Sequence, residues 1–443
     1  MLNNKKNHDV NAIDHYVREY QRVEKELVGH EQKYLSQIRL DALEQFSTLG
    51  FPSKKHADWK YTSLTTIHQT PYFLAPKPCK LDATTMLNLP RADYRLVFVN
   101  GFFAAHLSSI AVLTDNSKIT NLSTMLEQHP EQLKSTWKPN KAVEKNSFTH
   151  LNTAFMQDGA YIYLATNTRL NSPIEILFIN TDATPHRFIP LRNIVIAEEN
   201  SQAIIIEKYI DMTPENNTNY FLNTVTECRL AANSHIEHYK NITESKQAQH
   251  VDSLCVTQQK NSQFSAYSLV LSGSLIRSDV TVKLLAPQAH CQLKGLYCAS
   301  NQQQVDQYTQ IDHVSPQTSS EEFYKGIIDD RARATFNGKV IVREQAIKSK
   351  AQQLNRNLLL SAHAEVNSKP QLEIFTDDIQ CTHGASIGQL DKDALFYLRA
   401  RGLTATEATD LLVKAFIQDI IEQMPLFNDA TLPCLSKDTH ENV

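Results

Sequence analysis

One short segment of this 443-residue chain concentrates side chains that can hold a metal. Cys381 and His383 lie two residues apart in the sequence Asp-Asp-Ile-Gln-Cys-Thr-His-Gly. In an extended chain, residues two apart lie on the same face, so the thiol and the imidazole would point the same way. A thiolate beside an imidazole suits iron, zinc or an iron–sulfur cluster. Gly384 would let the backbone turn directly after the pair.

Two ligands are too few for a complete site, since clusters and structural zinc normally take about four. Either residues from elsewhere in the chain converge on the pair, or a second protein completes the site. The structural alternative is that Cys381 packs in a buried strand and His383 bonds a carbonyl group. Spacing alone favours this structural alternative.

Other reactive side chains are better explained by structure. His363 fits a hydrogen-bonded surface or turn residue better than a metal ligand. Cys291 and Cys298 lie seven residues apart in β-prone sequence, hence on opposite faces of a strand, and we expect both in the core. Arg331 and Arg333 alternate with small residues, which favours a solvated strand face over an anion site.

Motif searches and composition exclude several functional classes. The sequence contains no Walker A loop, no G-x-G-x-x-G, no G-x-S-x-G and no H-E-x-x-H. Its 44 basic and 48 acidic residues are interspersed, so neither nucleic acid nor an anionic membrane is expected as the main partner. No stretch approaches the roughly 18 apolar residues of a membrane helix. Seven scattered cysteines without a C-x-x-C indicate reduced thiols and a cytoplasmic protein.

The Cys-x-His segment ends a long region of short β-prone runs, from about residue 161 to residue 375. Examples are Ile174–Asn180, Asn193–Ala197, Ala203–Ile206, Ser268–Leu271 and Val340–Arg343. A turn phrase recurs at Asn200, Asn233, Asn261 and Pro287, at intervals of 33, 28 and 26 residues. Irregular repeats of this length are typical of a β-solenoid, although a β-sandwich also supplies many short strands. No long helical pattern interrupts the region, which counts against βαβ units.

A mixed, helix-rich region precedes the β-prone runs. Apolar residues at spacings of three and four predict helix over residues 9–50 and again over residues 122–137. Between these stretches, Asn100-Gly101 predicts the tight turn of a β-hairpin over residues 96–103. Asn and Gly tolerate the positive φ that this turn requires.

Two helices are predicted after the β-prone runs. The first runs from Asp391 to Gly402, and the second begins at a capping box of Thr404 and Glu407 and ends at Pro425. The second helix carries an apolar stripe wider than packing on one neighbour needs. Core packing explains most such stripes, and a groove on a partner protein is the alternative. The candidate partner-binding residues are Leu411, Leu412, Ala415, Phe416 and Ile420.

These patterns predict a mainly β protein in three domains. An N-terminal helix-rich α/β domain covers residues 1–150, a β-solenoid core covers residues 151–385, and a C-terminal helical domain covers residues 386–443.

Three stretches of the sequence resemble the SufB/SufD family, the scaffold proteins of the Suf iron–sulfur cluster assembly system. The most specific match is residues 353–402, beginning Gln-Leu-Asn-Arg-Asn-Leu-Leu-Leu-Ser. Residues 55–63, Lys-His-Ala-Asp-Trp-Lys-Tyr-Thr-Ser, resemble the N-terminal signature of the family, and residues 333–342 resemble a strand signature. Within the family the chain is similar to SufD, because the thiol-rich N-terminal segment common in SufB is missing. The first cysteine, Cys79, stands alone.

The resemblance implies a right-handed parallel β-helix between helical ends, in agreement with the solenoid prediction. It also implies a non-catalytic scaffold that pairs with a SufB-like paralogue and docks a SufC-like ATPase. Cys381 and His383 map onto a segment thought to help build a nascent iron–sulfur cluster at the interface with the SufB-like partner. The sulfur-accepting cysteine is expected on that partner. Reduced flavin in the complex is implied as well, but no residue of this sequence localises it.

Two other functions stay open. A carbohydrate-active β-helix enzyme would need paired carboxylates on one exposed face, whereas Asp377 and Asp378 are adjacent and point apart. A purely structural assembly protein would use Cys381 and His383 only for packing. Iron and sulfide bound to the complex after anaerobic purification would separate the three possibilities.

Overall fold

A computed structural model describes residues 2–76, 91–113, 115–137, 146–181, 184–213 and 217–427, with side chains from residue 12 onward. Cys79 lies outside the described residues. The helices are α1 (Leu2–Val23), α2 (Lys33–Leu49), α3 (Thr65–Gln69), α4 (Leu122–Gln128), α5 (Pro130–Thr136), α6 (Ser147–Phe155), α7 (Lys392–Ala400) and α8 (Ala405–Ile421). Single 3₁₀ turns are formed by Ala57–Trp59, Ala105–Leu107 and Pro425–Phe427.

Most of the described chain is strand. The strands are β1 (Phe73–Leu74), β2 (Tyr94–Val99), β3 (Phe102–Phe103), β4 (Ser109–Ile110), β5 (Lys118–Asn121), β6 (Ala160–Leu164), β7 (Ile174–Asn180), β8 (Arg187–Ala197), β9 (Gln202–Asp211), β10 (Tyr220–Leu230), β11 (His235–Thr243), β12 (Gln249–Gln258), β13 (Gln263–Ser272), β14 (Leu275–Leu284), β15 (His290–Ala299), β16 (Gln304–His313), β17 (Ser319–Ile328), β18 (Arg333–Val342), β19 (Ser349–Leu359), β20 (Glu365–Ile374) and β21 (Ile379–Gln389).

The strands from β6 onward wind into a parallel solenoid of about seven coils. Each coil gives one strand to a first sheet, ordered β20-β18-β16-β14-β12-β10-β8-β6-β5, and one to a second sheet, ordered β21-β19-β17-β15-β13-β11-β9-β7-β2-β3. Every described pairing among β6 to β21 is parallel. The predicted solenoid is therefore confirmed, and an antiparallel sandwich is excluded.

The repeated turn phrase forms one corner of the solenoid. Asn200, Asn233 and Asn261 adopt φ values of 60°, 58° and 54°, a left-handed conformation that Asn tolerates better than most residues. Their side chains form a ladder, in which Asn233 Nδ2 donates to Asn200 Oδ1 at 3.1 Å and Asn261 Nδ2 donates to Asn233 Oδ1 at 2.9 Å. In the next coil Gln288 takes the same conformation, with φ of 64°.

Inward side chains of successive coils stack in register to fill the solenoid. In the second sheet Ile236 stands between Ala203 and Phe264, and Phe264 lies opposite Cys291. All four are buried in one apolar core. Cys298 lies on β15, as Cys291 does, but it is buried on the outer face of that strand, beneath α8. Both cysteines are therefore core residues on opposite faces, as predicted.

Helices cover the outer faces of the two sheets. The N-terminal helices pack on the first sheet, where Tyr16 and Phe46 join a cluster with Phe188 and Phe221. Helix α8 packs on the second sheet through Val413, Ile417 and Ile420. Helix α6 crosses the proposed domain boundary at residue 150, and β1, β2 and β5 join the two sheets.

Two predicted helices are each divided in the structure. Residues 9–50 form α1 and α2, because the chain turns between them, where Gly29 adopts φ of 71°. Residues 122–137 form α4 and α5, because Pro130 has no N–H to continue the first helix. The prediction of helix is therefore confirmed in both stretches, and the break within each one was not predicted.

The two ends of the solenoid differ. At the N-terminal end, antiparallel pairs close both sheets, β5 on β6 and β2 on β3. The second pair is the predicted hairpin, with φ of 50° at Asn100 and 91° at Gly101. At the other end, β20 and β21 are the last strands, and no described strand pairs with their outer edges. The Cys-x-His segment lies on this open end.

Candidate cluster site at the open end

Cys381 and His383 both lie on β21, the last strand of the second sheet. In the parallel register with β19, Cys381 stands opposite Ala351, and His383 opposite Gln353. Cys381 packs with Ala351 inside the solenoid, so its side chain points inward. Strand alternation then puts His383 on the same inward face. Because no described coil follows, this inward face is also the end surface of the molecule.

The end surface is largely apolar. Ile374 and Ile387 are 42% and 48% exposed, and Phe375 in the neighbouring corner is exposed as well. Corresponding inward residues of earlier coils are buried by the next coil, as Phe336 and Val340 are. Exposed apolar side chains grouped with a thiol and an imidazole are typical of an interaction site.

The surroundings of Cys381 determine whether its thiol is protonated, and those of His383 determine whether its ring is accessible. Burial raises the pKa of the Cys381 thiol, against a smaller opposite effect of the Ala351 backbone N–H. A protonated thiol is a poor nucleophile, but a metal ion can displace its proton. His383 is exposed and has no hydrogen-bond partner among the described residues, so its ring nitrogens can take a ligand.

The described residues provide no further ligands at this end. Nowhere in the described ranges do three or more His, Cys, Asp or Glu side chains group as a metal site. His363 is exposed in the turn before β20, where its backbone N–H donates to Ser361 Oγ at 3.3 Å. Asp377 and Asp378 form the corner before β21, rather than a pair on one face. Among the described residues, the candidate ligands at this end are therefore Cys381 and His383.

A polar pair that the sequence analysis missed lies directly beneath His383. Gln353 is buried, and its Nε2 donates to Glu322 Oε2 at 2.6 Å. Burial raises the pKa of Glu322 to about 7. Gly338 makes room for the amide, since a Cβ there would lie 2.1 Å from Gln353 Nε2. The available signal was that Glu322 alternates with Tyr324 and Ile328, which share its face of β17 and are buried in the core.

The second candidate surface is the pair of C-terminal helices. Asp391 caps α7, and the predicted capping box of Thr404 and Glu407 begins α8. Leu411 and Ala415 are exposed, whereas Leu412 and Phe416 are half-buried. Ile420 is completely buried against the second sheet, so it belongs to the core of this chain and not to a free surface.

Core packing accounts for the side of the apolar stripe of α8 that faces the second sheet. The buried Lys325 of β17 holds α8 by an ion pair with Asp419 at 2.6 Å and lies 4.4 Å from the ring centroid of Phe416. The exposed half is larger than the sequence analysis suggested, because α7 adds Phe396 and Tyr397, which are 74% and 57% exposed. The two helices thus carry apolar surface that no described element covers.

Two clefts in the described part of the chain do not fit a bound flavin. One cleft, of about 410 Å³, is polar and is lined by Ser63, Gln304, Arg331 and Arg333 among others, with no apolar wall for a flavin ring. The other, of about 550 Å³, carries the carboxyl groups of Glu26, Glu127 and Asp158 against the single guanidinium of Arg22, so it offers no net positive charge to a flavin phosphate. No step is assigned to flavin.

Comparison with known proteins relates the whole described fold to one family. Residues 178–416 match the family model described as "SUF system FeS cluster assembly, SufBD core domain", and residues 10–176 match "SufBD protein N-terminal region". An iron-sulfur cluster assembly SufBD family protein of Synechocystis is 34% identical over 90% of this chain and 89% of its own length.

More distant relatives carry a more specific name. The iron-sulfur cluster assembly protein SufD of Escherichia coli is 26% identical over 86% of this chain and 87% of its own length. The protein of the same name from Bacillus subtilis is 25% identical over 89% and 91%. Among the described helices, none is both long and apolar enough to cross a membrane.

Proposed function

The chain belongs to the SufBD family, and on that premise we propose that it is a SufD-like scaffold subunit of iron–sulfur cluster assembly. It works with a SufB-like paralogue and a SufC-like ATPase, and it has no catalytic group of its own. Sulfur and electrons arrive from partners, and ATP is hydrolysed on the SufC-like protein. Its location is cytoplasmic, which the free thiols of Cys228, Cys255, Cys291 and Cys381 support.

One observation carries the proposal. The last coil of the solenoid is not covered by another described coil, and the described residues of the same surface hold only two of the ligands that a cluster needs. The open end presents Cys381 and His383 within an apolar layer, while a cluster takes about four protein ligands. A SufB-like partner seated on this end would cover the apolar residues and supply the remaining ligands. The same partner could add to the free edges of β20 and β21.

The roles of the two side chains follow from their chemistry. The cluster is cargo, held while it is built. A neutral His383 supplies a nitrogen lone pair, and Cys381 supplies a thiolate once iron has displaced its proton. The apolar side chains around them exclude water when the partner is seated. A thiol that stays protonated without metal is suited to release its cargo and unsuited to accept sulfur by itself.

The test replaces His383 by Gln, which removes the imidazole lone pair but keeps a polar side chain. We expect normal unfolding, normal binding of both partners and no cluster, because His383 is exposed and makes no described hydrogen bond. Iron and sulfide per complex, measured after anaerobic co-purification, check this result. The matched control is His363→Gln, also exposed. A normal cluster in the His383 variant would return this residue to a structural role.

Docking of the ATPase is assigned to the exposed side of α7 and α8. Leu411→Asp puts a charge on apolar surface that no described element covers, so the SufC-like protein should no longer co-purify while the SufB-like protein stays bound. The control is Gln418→Asp, at an exposed polar position of the same helix. Unchanged co-purification by a folded Leu411 variant would contradict this assignment.

A further inference from the structure

Three residues of successive coils form a polar column that ends at the open surface. In the parallel register Glu322 of β17 stands opposite Gln353 of β19, and Gln353 stands opposite His383 of β21. Below this column the register position belongs to Leu293, in the apolar core. The polar stack is thus confined to the last three coils, directly beneath the proposed cluster site.

The hydrogen bonds of the column have a fixed direction. Gln353 Nε2 donates to Glu322 Oε2 at 2.6 Å, so Glu322 holds the NH₂ end of the Gln353 amide. The amide oxygen of Gln353 is therefore turned away from Glu322. This oxygen is buried and has no hydrogen-bond partner among the described residues. Buried carbonyl oxygens normally have a partner, so this one calls for a donor.

His383 is the neighbour that can supply the donor. Adjacent parallel strands lie about 4.8 Å apart, which lets side chains in register hydrogen-bond to each other. Histidines that bind metals usually donate their second ring N–H to a fixed acceptor, which sets the tautomer and the orientation of the ring. The Gln353 amide is held in place by its hydrogen bond to Glu322 and by its close packing against Gly338.

We propose that Gln353 is a positioning residue for His383: a rotation of the imidazole lets one ring N–H donate to Gln353 Oε1, a hydrogen bond that the structure does not itself contain. The other ring nitrogen then keeps its lone pair facing out of the open end, towards iron. Glu322 supports this arrangement indirectly, because its hydrogen bond to Gln353 Nε2 prevents the amide group from rotating by 180°. The inference rests on the proposed role of His383 as an iron ligand.

The experiment compares four forms of the full chain. Gln353→Leu removes the acceptor. The double exchange Glu322→Gln with Gln353→Glu keeps a hydrogen bond between the two positions and still presents an acceptor to His383. Gln352→Leu, on the outward face of the same strand, is the control. Gln353→Met replaces the Leu variant if that protein does not fold.

Two measurements separate this inference from the proposed function. In ¹⁵N-histidine NMR of the isolated chain, we expect one His383 tautomer in the wild type, the double exchange and the control, and a mixture in Gln353→Leu. In the anaerobic complex, Fe²⁺ affinity should fall about 10–100-fold in Gln353→Leu and recover in the double exchange. A single unchanged tautomer in folded Gln353→Leu would overturn the inference. Unchanged iron binding in His383→Gln would instead overturn the proposed function.

Discussion

Some polar side chains inside the solenoid are stabilised by ion pairs or hydrogen bonds with other buried side chains. The Lys240 ammonium lies 2.7 Å from Asp252 Oδ1 and 3.5 Å from Glu207 Oε1, so a buried cation is balanced by carboxylates. The His313 ring bonds the hydroxyls of Thr318 and Ser320, at 2.8 and 2.9 Å. The Gln353 amide oxygen is one of several buried polar atoms without a hydrogen-bond partner among the described residues, and it lies in register beneath His383.

The buried His313 makes a predictable contribution to the pH dependence of stability. Burial lowers its pKa from the usual 6.5 to about 4, so the native state keeps this ring neutral where the unfolded chain protonates it. Its stabilising contribution is complete above about pH 6.5 and is lost as pH falls towards 4, by up to about 3 kcal/mol. Urea unfolding of His313→Gln between pH 7 and 4 should show a shallower loss than the wild type. The exposed His363→Gln should match the wild type, and an equal slope in His313→Gln would contradict the prediction.

Cys381 and Cys291 predict opposite outcomes for the same substitution. Cys381→Ala should lower the iron and sulfide bound per complex and change the free energy of unfolding by less than about 1 kcal/mol, because this thiol is only partly buried. Cys291→Ala leaves a cavity in the core, so it should cost about 1 kcal/mol or more and leave the cluster intact. Normal cluster content in Cys381→Ala would show that the thiol only packs.

At the scale of elements, β17 connects the two candidate surfaces. Its inward residue Glu322 belongs to the column beneath His383, and its outward residue Lys325 holds α8. Because strand neighbours alternate between faces, one rigid strand contacts both the interior of the open end and the helix that we assign to ATPase docking. Movement of α8 would therefore act on a strand that supports the cluster site.

Loss of the Lys325 side chain should loosen α8 without unfolding the solenoid. Lys325→Ala removes the ion pair with Asp419, the hydrogen bond to the Phe416 carbonyl and the contact with the Phe416 ring. The cost should be about 1–2 kcal/mol, since Asp419 is half-exposed and its ion pair is screened. Hydrogen exchange of the α8 amides should accelerate about 10-fold, whereas Lys350→Ala, an exposed lysine of β19, should leave it unchanged. Equal protection in both variants would show that α8 is held by its apolar contacts alone.

At the scale of the whole molecule, the fold is asymmetric. Antiparallel strands close the N-terminal end, while the C-terminal end leaves apolar side chains and two strand edges uncovered by described elements. Strand edges and apolar layers of this kind favour association with a protein that has a matching end. The molecule is accordingly interpreted as one half of a scaffold.

The isolated chain should therefore hold iron poorly. With two ligands where a cluster takes about four, anaerobic reconstitution should give weak, substoichiometric iron and sulfide on the chain alone. The complex with the SufB-like partner should retain both through gel filtration. A stable stoichiometric cluster on the isolated protein would mean that further residues of this chain reach the site.

Local chemistry made much of this protein predictable from its sequence. The repeated corners were recognisable from Asn200, Asn233 and Asn261, because Asn tolerates the left-handed conformation better than most residues. The capping box of Thr404 and Glu407 spans four residues, and the common face of Cys381 and His383 follows from strand alternation. Interactions within a few residues of each other need no knowledge of the fold.

Only the tertiary structure decided which of these features are available for function. It buried Ile420 between α8 and the second sheet while leaving Leu411 exposed, a distinction that helical spacing cannot make because both sides of the stripe are apolar. It also brought Glu322 and Gln353 together beneath His383, across separations of 31 and 30 residues. Coil lengths vary along the chain, so the register that stacks distant residues is set by the packing of each coil on the one before it.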